Sequence, residues 1–144
     1  MKGFWKEKKV LVTGINGFVG ANLAKSLARQ GASVFGLIRN NNPHSFLYFE
    51  KVNKIITLIN GDITDFHLMK RIIAEEGIQH VFHLAAQVEV GTALEYPYLT
   101  WESNIRGTYT LLEAIREVKT DIKSIIIASS DKAYGSYPVE DLPY

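Results

Sequence analysis

The amino-acid sequence predicts an α/β fold built on a doubly wound parallel sheet. Three observations carry this expectation. Short runs rich in Val, Ile and Leu alternate with segments of helical periodicity. The runs are apolar at nearly every position rather than at alternate ones. A glycine-rich turn joins the first run to the first helical segment. Strands that are apolar on both sides must be covered on both faces, and parallel neighbours need a crossover, which a helix supplies. Right-handed crossovers then wind the chain outwards on both sides of the first strand.

The elements follow in order. Residues 10–12 form the first strand. Within residues 18–30, Val19, Leu23 and Leu27 recur at helical spacing, and Gly31 is a stop signal. Residues 34–38 make the second strand, after which Asn40, Asn41, Asn42 and Pro43 mark a loop. Residues 55–59 form the third strand, ending at Asn60-Gly61. Thr64 or Asp65 caps a helix with Phe66, Met69, Ile72 and Ile73 as its buried stripe, and Gly77 ends it. Residues 81–84 are the fourth strand. One long helix lies within residues 94–118, with Leu111, Leu112, Ile115 and Val118 facing inward. Gly107 inside it marks a weak point or a site of close approach. Residues 124–128 are the fifth strand. No internal repeat or low-complexity segment interrupts the pattern.

Bulk properties narrow the function. The 144 residues suit one domain, 1–144, with 47% hydrophobic and 22% charged residues. Sixteen basic residues against 15 acidic ones leave a net charge of +1. Lys6, Lys8 and Lys9 are interrupted by Glu7, so no basic run points to nucleic acid or an anionic membrane. The absence of cysteine excludes disulfides, thiolate catalysis and Cys-based zinc sites, and fits a reducing cytoplasm, the expected location. Residues 1–9 have no apolar run after their charges, so no secretory signal is expected, and no apolar stretch is long enough to span a membrane. His44, His67 and His80 are scattered without metal-ligand spacing, and no metal site is expected.

The turn Thr13-Gly14-Ile15-Asn16-Gly17-Phe18-Val19-Gly20 carries the first chemistry. Gly14 permits a sharp turn, Gly17 lets an anion approach the backbone, and Gly20 permits close helix packing. Free N–H groups and the helix dipole at the start of the helix favour a phosphate. The spacing is Gly-x-x-Gly-x-x-Gly, and its place between a strand and a helix makes it a dinucleotide site in a Rossmann-like fold. Gly14, Asn16, Gly17, Phe18, Val19 and Gly20 are the candidate pyrophosphate-binding residues.

Thr-Gly-x-x-Gly-Phe-x-Gly resembles the signature of the extended short-chain dehydrogenase/reductases, the NAD-dependent epimerase/dehydratase family. Four further motifs fall in the family's order, so the resemblance covers essentially the whole chain. It implies that Asp62 accepts from the adenine amine and that the backbone of Ile63 contacts the ring. It implies that Leu84, Ala85 and Ala86, after the fourth strand, leave room for the nicotinamide-side ribose and phosphates, and that Gln87 and Glu89 reach the substrate. His83, just before them, reads as a buried strand histidine. Asn104 matches the family's helix Asn, which holds a helix bend and a water near the active site. Near the end of the second strand, NAD-binding members carry an acidic residue. Here Arg39 stands at that point, in a Gly36-Leu37-Ile38-Arg39 run resembling the GDP-mannose 4,6-dehydratases. An Arg pairs with the 2′-phosphate of NADP, so the expected cofactor tilts to NADP over NAD.

Ser129-Ser130-Asp131-Lys132 lies past the fifth strand. The resemblance implies that Ser130 hydrogen-bonds the substrate hydroxyl being oxidised. Asp131-Lys132 resembles the acid/base pair of CDP-glucose 4,6-dehydratases. Elimination of water needs an acid for the departing hydroxyl and a base for the proton beside the new carbonyl. Catalytic residues are thus expected at Ser130, Asp131 and Lys132, and the expected activity is that of a lyase, a nucleotide-sugar 4,6-dehydratase. A 4-epimerase or dehydrogenase of the same family and a non-catalytic dinucleotide-binding fragment are the alternatives. The family's Tyr-x-x-x-Lys is absent: Pro138 lies four residues after Tyr134, Asp141 four after Tyr137, and Tyr144 is last. The chain is therefore expected to be incomplete at its C-terminal side, to lack the smaller substrate domain, and to be inactive alone. It is read as a fragment, a truncated gene product or a chain completed by a second one. A nucleotide sugar is the expected substrate, and a homodimer that of the complete protein. The face that such pairing covers, on the helix within residues 94–118, would be apolar.

Overall fold

The protein is described by a computed structural model over residues 3–130, 133 and 135. The strands are β1 (Lys9–Thr13), β2 (Ser33–Ile38), β3 (Thr57–Asn60), β4 (His80–His83) and β5 (Ser124–Ile127). The helices are α1 (Phe18–Arg29), α2 (Phe46–Phe49), α3 (Phe66–Glu75), α4 (Val90–Glu95), α5 (Pro97–Trp101) and α6 (Gly107–Val118). All strand pairs are parallel, in the order β3-β2-β1-β4-β5. This is the predicted doubly wound α/β sheet.

Successive strand residues point to opposite faces, which creates two cores. On one side Leu11, Phe35, Leu37 and Val81 meet Met69, Ile72 and Ile73 of α3 and Leu111 and Ala114 of α6. On the other, Val10, Val12, Val34 and Phe82 meet Ala21, Ala24 and Leu27 of α1, with Leu47 and Val52. Asp65 caps α3, its Oδ1 accepting from the Leu68 N–H at 2.9 Å. Residues 44–54, for which no element is predicted, form α2 and a short 3-10 turn, Val52–Lys54, with Leu47 and Val52 fully buried.

Three expectations need correction. The single helix within residues 94–118 is broken into α4, α5, a π-helical turn at Glu102–Arg106 and α6. Pro97 starts α5 after Tyr96, whose backbone (φ −130, ψ 65) is not helical, because proline disfavours a helical residue before it. Leu112 is exposed rather than inward-facing; Leu111 and Ala114 hold the inner face, while Ile115 and Val118 pack partly buried beside them. The fifth strand is not covered on both faces: Ile125, Ile126 and Ile127 are exposed, because among the described residues it packs on β4 alone. At Gly107 the reading of close approach holds, since a Cβ there would lie 2.6 Å from Ile63 Cγ2.

Candidate dinucleotide site

The glycine turn lies at the carboxyl edge of the sheet, between β1 and α1. Gly14 takes φ +70, and an added Cβ would stand 2.5 Å from the carbonyl oxygen of Leu84. Any side chain there is strained and collides with backbone. Gly20 packs against the turn itself, where a Cβ would meet Gly14 O at 2.3 Å. Gly17 caps α1 and is exposed; a Cβ there would meet only Gly14 O, at 3.2 Å. No side chain caps α1, and its first turn carries no acidic residue. The first-turn N–H groups, which no helix pairs internally, therefore face an open edge of positive potential. This arrangement fits a pyrophosphate.

Beside the turn, the Asn16 side chain is committed to protein. Its Nδ2 donates to Asn40 O at 2.7 Å and its Oδ1 accepts from Ser45 Oγ at 3.5 Å. Phe18 and Phe46 meet edge to face at 5.5 Å, so the loop after β2 is tied to the start of α1. Val19 is exposed at the same end. Arg39 and Asp62, from the ends of β2 and β3, come together, with Arg39 Nη1 3.9 Å from Asp62 Oδ2. The other oxygen of Asp62 accepts from Thr64 N and Oγ1 at 2.9 and 2.8 Å. The turn-making reading of Asp62 is thus realised with one oxygen, and the second faces Arg39. The Ile63 side chain is buried in the core.

The end of β4 is held from two sides. Thr13 Oγ1 lies 2.7 Å from His83 Nδ1 and accepts the N–H groups of Leu84 and Ala85 at 3.2 Å. The Asn104 side chain grips the main chain of Gln87: its Oδ1 accepts from Gln87 N at 2.7 Å and its Nδ2 donates to Gln87 O at 3.0 Å. The carbonyl of Asn104 accepts from the Thr108 hydroxyl at 2.7 Å, a back-bond that bends helices, within the π-helical turn. His83 is buried, and burial holds its imidazole below the ordinary value of 6.5. The bonds of Thr13 and Thr108 to His83 are not legible in the sequence. A lone Thr ending an apolar strand and a Thr one turn after Asn104 are the signals, but neither shows its partner.

The remaining predicted residues are less gathered. Gln87 Nε2 donates to Glu89 O at 2.8 Å, and Glu89 Oε2 accepts from Thr92 Oγ1 at 2.7 Å. Ser130 lies past β5, exposed, its carbonyl accepting from Ala133 N at 3.1 Å. Asp131 and Lys132 lie outside the described residues. No described helix is long and apolar enough to cross a membrane.

A parallel sheet in this order, with a glycine-rich turn leading into α1 at its carboxyl edge, defines the class of nucleotide-binding α/β domains. The family model described as GDP-mannose 4,6 dehydratase matches residues 11–143. The chain belongs to that family, among the NAD-dependent epimerases and dehydratases of the extended short-chain dehydrogenase/reductase group. It is 37% identical over 136 residues to a CDP-glucose 4,6-dehydratase of Salmonella typhimurium, covering 94% of this chain and 38% of that protein. It is 36% identical to UDP-glucuronate 4-epimerase 4 of Arabidopsis thaliana, over 88% of this chain and 30% of that one. The UDP-glucose 4-epimerase of Stenotrophomonas maltophila, solved with NAD and formylated UDP-arabinopyranose, superposes with a TM-score of 0.78 at 28% identity, over 91% of this chain and 39% of that one. The chain thus spans under half the length of the relatives it matches.

Proposed function

We propose that this chain is the cofactor-binding part of an NAD(P)-dependent nucleotide-sugar 4,6-dehydratase. The observation that carries the reading is the sequence Ser130-Asp131-Lys132, which follows Ile127, the last residue of β5, by two intervening residues in a chain of this family. The backbone of residues 17–20, with Gly14 shaping the turn, holds the pyrophosphate. Asp62 and the main chain of Ile63 hold the adenine. Arg39 favours the 2′-phosphate of NADP, and residues 84–86 border the nicotinamide end. When bound, the nicotinamide supplies the acceptor and donor of hydride. Ser130 binds the sugar hydroxyl that is oxidised. Asp131 gives a proton to the departing hydroxyl. Lys132 takes the proton beside the new carbonyl, which requires burial or neighbouring positive charge to keep its amine neutral. Gln87 and Glu89 border the substrate. The Tyr-x-x-x-Lys pair and most sugar contacts belong to a further part of the protein, which works in the cytoplasm as a homodimer.

A 4-epimerase is the second reading, favoured by the likeness to UDP-glucuronate 4-epimerases. The test is product analysis with the complete protein and nucleotide-diphosphate glucoses or mannose. A 4-keto-6-deoxy product is expected, falling by about 100-fold or more in Lys132→Ala. Inversion at C4 without loss of water selects the epimerase, and normal elimination by Lys132→Ala removes the assigned base.

A further inference from the structure

The hydrogen bonds around His83 have one consistent set of directions. Thr13 Oγ1 already accepts two backbone N–H groups, from Leu84 and Ala85. Its own hydrogen therefore goes to His83 Nδ1, 2.7 Å away. Nδ1 is then bare, and the neutral imidazole carries its hydrogen on Nε2. Nε2–H donates to Thr108 Oγ1 at 2.9 Å, and the Thr108 hydroxyl donates to the carbonyl of Asn104 at 2.7 Å. A hydrogen on Nδ1 would give Thr13 Oγ1 a third donor and leave its own hydrogen facing a donor.

The relay joins the two clamps on residues 84–87. Thr13 holds the N–H groups at one end, and Asn104 holds both main-chain groups of Gln87 at the other. The carbonyl of Leu84 also abuts Gly14 of the phosphate turn. From β1 the ring meets Thr13, from α6 it meets Thr108, and on β5 its register partner is Ile127. Burial alone lowers its basicity, with no charged group among the described residues contributing.

We propose that His83, in its neutral Nε2–H form, is a positioning residue that sets residues 84–87 for the dinucleotide through Thr13 and Thr108. This rests on the cofactor reading above. Protonating His83 reverses the bond to Thr13 and releases one end of the segment.

The experiment titrates NADP and NAD into the full chain by calorimetry from pH 7.5 to 5, with long-range proton–nitrogen spectra of the histidines recorded alongside. His83→Phe, which keeps the ring but neither bond, should raise Kd about tenfold. His83→Asn can accept from Thr13, and His83→Gln can reach Thr108, so each should fall between. Wild-type binding should weaken as the bare Nδ1 signal disappears at low pH, and His83→Phe should lose that dependence. Should His83→Phe fail to fold, His83→Asn and the wild-type profile carry the test. A hydrogen on Nδ1 at neutral pH, or a flat wild-type binding profile through the titration of His83, overturns the positioning role alone. Absence of binding by the wild type at every pH overturns the cofactor reading with it.

Discussion

Leu11 in β1 and Ile126 in β5 are similar side chains in parallel strands of one sheet, yet Leu11 is fully buried and Ile126 is 49% exposed. β1 has a strand on each side and a helical layer on each face. β5 pairs with β4 only among the described residues, and Ile126, level with Phe82, extends the α1 face beyond the reach of α1. The same asymmetry separates the helices. α3 buries Leu68, Met69, Ile72 and Ile73 and α1 buries Ala21, Ala24 and Leu27, while the stretch from α4 to α6 leaves Leu94, Tyr98, Leu99, Trp101, Ile105 and Tyr109 in the open. The difference teaches that an apolar run specifies a strand, whereas its burial depends on the next layer. The glycine turn opens from the end of β1, the more deeply buried of the two strands.

That contrast can be tested by substitution. The largest effect is expected at the turn. Gly14→Ala puts a Cβ into left-handed backbone 2.5 Å from Leu84 O, at a cost of about 4 kcal/mol in denaturant unfolding; a loss below about 1 kcal/mol would show that the turn can reshape. Next come the paired strands. Leu11→Ala should cost about 3 kcal/mol and Ile126→Ala under about 0.5 kcal/mol. Equal losses would mean that β5 is covered in solution, and sedimentation would then show association.

The smallest effect is a pH dependence. The imidazoles of His83 and His80 sit below their ordinary 6.5, both chiefly through burial, with Lys8 and Lys123 adding to the second. The unfolded chain therefore binds more protons just below pH 6.5, so stability is full above that value and declines as pH falls through it. His83→Phe should flatten part of this decline in thermal unfolding. A wild-type stability that rises on acidification would contradict the assigned neutral forms.

Much of the fold was legible because its signals are local. Helical spacing marked α1 and α3, Thr64-Asp65 announced a cap that Asp65 supplies, and the glycines of the phosphate turn reported the backbone they must adopt. The site was legible only in part. Arg39 and Asp62 were each read alone, and their proximity comes from the pairing of β2 with β3. Asn104 was read as a bend-holder, but its grip on Gln87 spans 17 residues. The break at residues 96–97 is masked by an apolar pattern that runs through it, and Pro97 is its one local signal.

By itself the sequence determined the succession of the five strands, the helices α1 and α3 and the shape of the phosphate turn, since periodicity and glycine conformation act over a few neighbouring residues. Only the tertiary structure decided that Thr13, His83 and Thr108 form one relay and that Ile126 lies open. The Thr13–His83 bond joins residues 70 apart in sequence. Its geometry depends on which strands lie side by side, and exposure depends on what packs above them; no local pattern encodes either.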